Sequence, residues 1–219
     1  MSVLGVVAAA GASRRMGRAK ALVPTGSDGP PFVVVVVVAL LKGGIDQIVV
    51  TLPDDASDAT AIEVVVVAAI DVDDRHRVSF ARNDAPALGL SGSVCAALAT
   101  ATPATSHIVV APVDAPFFDA ALVRALLAAS RSSGRVDVAV PVVADGRRGH
   151  PVVFARACFD ALQAAGAHGG PAVVVDDAAR RRRLTTVACG DGRVAADVDT
   201  PEDWERAFGV RWSATPTST

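Results

Sequence analysis

The chain of 219 residues contains no tyrosine, and its seven Phe and two Trp make up only 4% of the sequence, so Ala, Val and Leu must fill whatever core it builds. Charge of one sign is lacking too. Twenty-one basic residues stand against 23 acidic ones, a formal net charge of −2, which excludes a broad positive footprint for nucleic acid or an anionic membrane. Any phosphate ligand has to be met by a few local cations. Cysteine is sparse: Cys95, Cys158 and Cys189 are odd in number, far apart and without CxxC or nearby His spacing. That argues against a disulfide framework and a zinc site and fits a reducing, cytoplasmic setting. The apolar stretch from Val3 to Ala10 has no basic residues before it and meets Arg14 and Arg15 too soon for a signal or a membrane span. It reads as a buried strand.

What the chain does have is 51% hydrophobic residues and the length of one α/β domain, assigned to residues 1–212; the Ser-, Thr- and Pro-rich tail 213–219 is expected to fray. Short β-branched runs alternate with Ala- and Leu-rich stretches of helical length, the pattern of βαβ units around a mainly parallel sheet. Strands are expected at Val3–Ala8, Gln47–Leu52, Arg77–Ala81, His107–Ala111, Val136–Pro141 and Pro151–Phe154. Helices are expected at Ser91–Thr100, Asp119–Ser132, Arg156–Ala164 and Pro201–Phe208, the last capped by Thr200 with Pro201 as its first residue. Three valine runs, 33–38, 64–67 and 173–175, sit where crossover helices are wanted, although valine favours strands. The first is assigned to a helix because parallel neighbours need a crossover; the other two stay unassigned. The basic run Arg180 to Arg183 is either a solvated helix end or a phosphate patch. Loops leaving the C-terminal ends of the strands share one rim, where open α/β sheets hold ligands.

The densest chemistry follows the first strand: Ala8-Ala9-Ala10-Gly11-Ala12-Ser13-Arg14-Arg15-Met16-Gly17-Arg18-Ala19-Lys20. Small residues let the backbone approach a triphosphate and aim N–H groups at it, while Arg14, Arg15 and Lys20 can neutralise its charge. A plain glycine turn with solvated basic residues is the bland alternative. The order is neither GxxxxGK[ST] nor GxGxxG. Further on, Ala111-Pro112-Val113-Asp114-Ala115-Pro116 ends an apolar strand and puts one carboxylate on the rim. Asp114 can begin a magnesium site, since that ion takes one or two carboxylates with phosphate oxygens and water; otherwise it caps the helix near Asp119. In Asp197-Val198-Asp199-Thr200-Pro201-Glu202-Asp203, alternating carboxylates on an extended strand point to opposite faces, so only one readily joins Asp114.

These segments together resemble the molybdenum-cofactor nucleotidyltransferases and their sugar-phosphate relatives. The loop is similar to their LA[AG]G-x-S-x-RMG-x-x-K signature with Ala8 in place of the leading Leu, and residues 197–203 resemble their D-[IV]-D-T-P-E-D segment. Gly89-Leu90-Ser91-Gly92-Ser93 matches the G-L-S-x-S turn, and Gly146-Arg147-Arg148-Gly149-His150-Pro151 resembles the G-x-x-G-H-P turn of the molybdenum-cofactor branch. The resemblance spans nearly the whole chain in order. It implies an α/β, Rossmann-like three-layer sandwich with a mainly parallel, mixed sheet of the nucleotide-diphospho-sugar transferase type.

The resemblance also implies a cytoplasmic magnesium-dependent transferase that moves a nucleoside monophosphate from an NTP to a phosphorylated acceptor. Asp114 and Asp199 would hold the metal, Asp197 being structural. Arg15 and Lys20 would act with Asp114 in catalysis, and Ala9, Ala10, Gly11, Ala12, Ser13 and Arg14 would cradle the nucleotide. Ser91 and Ser93 would cap a helix or meet the base or a phosphate, and His150 would donate a hydrogen bond to an anionic or pterin-like acceptor. Ala10 stands where guanylyl members tend to carry Gly, which favours CTP, and the G-L-S-x-S and GHP turns favour a molybdopterin acceptor, with handover to a molybdoenzyme or its chaperone. Other readings are another sugar- or small-phosphate nucleotidyltransferase, a pyridine-nucleotide-dependent oxidoreductase on the same scaffold, and a non-catalytic cofactor chaperone.

Overall fold

Seven strands form one sheet: β1 (Ser2–Ala8), β2 (Gln47–Leu52), β3 (Val78–Arg82), β4 (Thr105–Pro112), β5 (Val138–Val142), β6 (Val152–Ala155) and β7 (Leu184–Ala188). Their order is β3-β2-β1-β4-β6-β5-β7, and all pairings are parallel except those of β6, which runs antiparallel to β4 and β5. The computed structural model describes residues 1–11, 13–132 and 134–212, so Ala12, Ser133 and the tail 213–219 lie outside it.

The sheet is apolar on both faces because both are covered. Along β1, Val3 and Val7 face one core with α1 (Phe32–Lys42), α2 (Ala56–Ala69) and α4 (Ala120–Arg131). Leu4 and Val6 face a second core with α3 (Leu90–Leu98), α5 (Phe159–Ala164) and α6 (Pro171–Arg180). All three valine runs are helical, in α1, α2 and α6. Burial overrides propensity in α1, where Val33, Val36, Val37 and Leu40 are fully enclosed between the sheet and its neighbours, and tertiary packing supplies most of a helix's stability. Local signals fix where these helices begin. Asp55 caps α2 by accepting from the amides of Ser57 and Asp58 at 3.0 and 2.9 Å, and Pro171 opens α6.

The strand β7 has no counterpart among the sequence expectations. It is a short edge strand, none of whose residues is fully buried, so no hydrophobic run marks it. The basic run next to it is the solvated end of α6: Arg180 and Arg181 lie 3.9 and 2.8 Å from Asp177, and Arg183 forks onto Asp137.

A third, smaller core fastens the C-terminal helix α7 (Pro201–Phe208) to the front of the sheet. Thr200 and Asp203 form a capping box, and Pro201 occupies the first turn, as the sequence indicates. Trp204, 3% exposed, packs with Met16, Val23, Phe32 and Val198, and its indole N–H donates to the Pro24 carbonyl at 2.7 Å. Most of the chain's few aromatics gather here, with Phe117, Phe208 and Trp212 against the same helix. Replacing Trp204 by Ala should lower unfolding stability by about 3–5 kcal/mol, the usual loss for a buried Trp, measured by urea denaturation, whereas Trp204→Phe should lose less than half of that.

Candidate active site

Register decides where the loops start. Ala8 of β1 aligns with Thr51 of β2 and with Pro112 of β4, so three neighbouring strands end level and release their loops on one rim. The loop after β1 is held in shape by Ser13, whose backbone is left-handed with φ of 46°. Its hydroxyl donates to the Gly11 carbonyl at 3.1 Å and accepts from the Lys20 amide at 2.8 Å, drawing the two ends of the loop together. Met16, 2% exposed, anchors the loop from below in the aromatic core. Gly11 is different: among the described residues no atom beyond its chain neighbours lies within 4 Å of where a Cβ would be, so its bareness leaves open space over the loop rather than room for a neighbour. Ala12 and the Arg14 side chain lie outside the described residues.

Two cavities meet over this loop. The smaller, about 250 Å³, is bounded by Ala9, Gly11, Ser13, Arg15, Lys20 and Asp199; the larger, about 660 Å³, by Ala10, Asp54, Asn83, Ser93, His150 and Asp197. Asp114 lines both. Its carbonyl accepts from the Val198 amide at 2.8 Å, which brings the 197–199 segment alongside it, and the two alternating carboxylates fall one into each cavity. On the smaller side Lys20 Nζ lies 3.0 Å from Asp114 Oδ2 and also hydrogen-bonds Asp199, while Arg15 reaches the other oxygen of Asp199 at 2.9 Å. Burial by itself would lower the Lys20 pKa, but Asp199 and Asp114 outweigh it and leave it raised. The hydrogen bond from Lys20 holds the Asp199 carboxyl below its ordinary value, with Arg15 helping.

On the larger side the electrostatics run the other way. Burial raises the Asp197 pKa, Asp114 adds to it, and among the described residues Asp197 makes no ion pair. Asp197 therefore lines the larger cavity, across Asp114 from Asp199. Burial lowers the His150 pKa against the pull of Asp197 and Asp114, so the ring is neutral near pH 7, and among the described residues its buried Nδ1 has no hydrogen-bond partner. Gly149 before it is fixed by contact, since a Cβ there would lie 2.2 Å from the Val194 carbonyl oxygen. His150 also borders a third cavity of about 270 Å³ between the sheet and α6, lined by Leu90, Val110, Val140 and Phe154, with Arg148 paired to Asp176 at 2.9 Å.

The serine turn corrects an expectation. Ser91 and Ser93 do not cap α3; they lie inside it behind Gly89, and both are 2% exposed. Ser93 takes part in a buried hydroxyl pair with Thr51 at 2.8 Å and still borders the larger cavity, whereas Ser91 packs beneath Gly170. Gly92 is needed because a Cβ would lie 2.4 Å from Asn83 Oδ1, so the loop after β3 rests directly on α3. Asn83 and Asp54 are wall residues that motif reading missed, though Asn83 directly follows β3 and Asp54 lies two residues past β2 on the ligand rim, and that position is itself a signal.

Asp114 and Asp199 sharing one ammonium shows that their oxygens converge on a single cation-sized position. Among the described residues no group of three or more His, Cys, Asp or Glu gathers around a point. Two carboxylates suit a magnesium-type ion that completes its shell with substrate phosphates and water better than an all-protein cage. No helix among the described residues is long and apolar enough to cross a membrane.

Comparison with known proteins agrees with this fold. Among solved structures, Rv0371c from Mycobacterium tuberculosis H37Rv superimposes with a TM-score of 0.74 at 27% identity, covering 96% of this chain and 99% of that one. Its homologue from Mycobacterium sp. strain JC1 gives 0.73 at 30% identity over 94% and 95%, and Rv0371c in complex with manganese gives 0.68 at 26% identity over 96% and 99%. No curated protein sequence matches significantly. The model of the MobA-like NTP transferase domain matches residues 5–184, and on that match, with the sheet order and rim-loop site already described, the chain belongs to the MobA-like NTP transferase family.

Proposed function

We propose that this nucleotidyltransferase moves CMP from CTP to a phosphorylated acceptor, molybdopterin carrying molybdenum being the acceptor class its turns favour. The reading is carried by one observation: Arg15, Lys20, Asp114 and Asp199 converge beside the bare backbone at Gly11. The backbone of residues 9–13 approaches the triphosphate, Lys20 and Arg15 take its negative charge, and Ala10, Asn83 and Ser93 face the cavity that accommodates the rest of the nucleotide. An acceptor phosphate oxygen forms a bond to the α-phosphorus in line with the α–β bridging oxygen, whose bond breaks as pyrophosphate leaves. No covalent enzyme intermediate is needed; positioning and electrostatics supply the rate. Asp114 and Asp199 are the residues that would hold magnesium, which when bound supplies Lewis-acid charge neutralisation at the phosphates. Neutral His150, its Nδ1 unpartnered, stands between the larger and third cavities and offers a hydrogen bond to the acceptor. Hydride transfer or passive cofactor carriage would leave the Lys20–Asp114–Asp199 cluster without a task.

Pyrophosphate release measured with each of the four NTPs and molybdopterin as acceptor tests the reading, with CTP expected to be the best donor and no release with any NTP overturning it. Asp114→Asn should lower kcat about 10²–10³-fold, the scale of losing one preorganised electrostatic stabiliser, while thermal melts stay close to wild type. Ala10→Gly should shift the CTP:GTP ratio of kcat/KM toward GTP by about tenfold, the order expected for one methyl group in a binding pocket; an unchanged ratio would count against a role for Ala10 in base choice.

A further inference from the structure

The position between Asp114 and Asp199 is held by a cation of the protein's own. Lys20 Nζ lies 3.0 Å from Asp114 and hydrogen-bonds one oxygen of Asp199, and Arg15 engages the other oxygen of Asp199 at 2.9 Å. A divalent ion entering this position would share carboxylate oxygens with a positive charge at contact distance, which opposes its binding while the ammonium sits there. The backbone around this position is tied down on three sides. The Lys20 amide donates to Ser13 Oγ at 2.8 Å, the Asp114 carbonyl accepts from the Val198 amide at 2.8 Å, and the Asp199 amide donates to Asp203 in the capping box of α7. The lysine reaches this position on a flexible four-carbon stem that is 13% exposed and borders the smaller cavity.

We propose that Lys20 is a built-in counter-cation that closes the carboxylate pair to divalent metal until a nucleoside triphosphate draws the ammonium onto its phosphates, so that metal binding is conditional on nucleotide. The second half rests on the transferase reading; the first does not. The consequence runs against intuition: removing a residue assigned to phosphate binding should strengthen binding of the metal alone. A lysine that only contacted phosphate, or only stabilised the loop, would leave metal affinity unchanged or weaken it.

The test uses the full chain and Mn²⁺ alone as probe, with free Mn²⁺ followed by its EPR signal. Lys20→Met should bind Mn²⁺ at least about tenfold more tightly than wild type without nucleotide, the scale on which one neighbouring charge shifts an ionic equilibrium. Lys20→Arg, which keeps the cation, should remain as weak as wild type. Adding Asp199→Asn to Lys20→Met should abolish the gain. Equal or weaker binding by Lys20→Met, tight binding by Lys20→Arg, or a gain that survives Asp199→Asn would each overturn the proposal. A parallel titration with a non-transferable α,β-methylene CTP separates the two ideas. If the analogue tightens Mn²⁺ binding in wild type while Lys20→Met shows no gain without it, the counter-cation fails and the nucleotide reading stands. If Lys20→Met is tight but the analogue changes nothing in wild type, the counter-cation stands and the nucleotide reading fails.

Discussion

One ammonium shared by two carboxylates organises this molecule's working end. Lys20 meets Asp114 across 94 residues of sequence and Asp199 across 179, so the contact exists only when the first strand, the central strand and the C-terminal segment are all in place. Each partner arrives by a different device. Lys20 is brought in by the turn that Ser13 closes, Asp114 by the parallel register of β4 on β1, and Asp199 by the docking of α7. Clustering like charges at a rim is unfavourable in itself, and the paired cations make it tolerable.

The distribution of hydrophobic residues follows from this requirement. Two aliphatic cores, rich in Val, Leu and Ala, sandwich the sheet and fix strand register, whereas the scarce aromatics are concentrated in the third core beneath α7. Trp204 and its neighbours thereby hold the Asp199 segment against the loop that carries Lys20, which gives a small cluster of large side chains an influence on the site well beyond its own packing.

Asp114 divides the rim into two electrostatic environments. The smaller cavity holds the cations and suits a polyphosphate, while the larger one places Asp197 beside a neutral His150 and, among the described residues, carries no lysine or arginine in its wall. A carboxyl pushed up by burial and an imidazole kept neutral by burial are groups ready to exchange hydrogen bonds with a ligand rather than to fix its charge. Two walls of unlike character on either side of one carboxylate match a reaction that joins a charged donor to a second substrate.

Local chemistry in the sequence determined a good deal. The apolar period and flanking turns located six of the seven strands to within a few residues, and Thr200, Pro201 and Asp203 specified the start of α7 because a cap depends on neighbours three positions apart. The order of small and basic residues marked the loop after β1, and the alternation of Asp197 and Asp199 required that they face apart. Only the tertiary structure decided the rest. It made helices of the valine runs; in α1, enclosure of Val33, Val36 and Val37 outweighs a fraction of a kcal/mol per residue of helix propensity. It drew β7 to the sheet edge, buried Ser91 and Ser93 within α3 instead of at its cap, turned Asp197 into a cavity wall, and set Lys20 between two carboxylates. The physical reason is range: propensity, capping and periodicity act over a turn or two of chain, whereas which side chains share a cavity depends on strand register and helix docking between segments that the sequence keeps more than ninety residues apart.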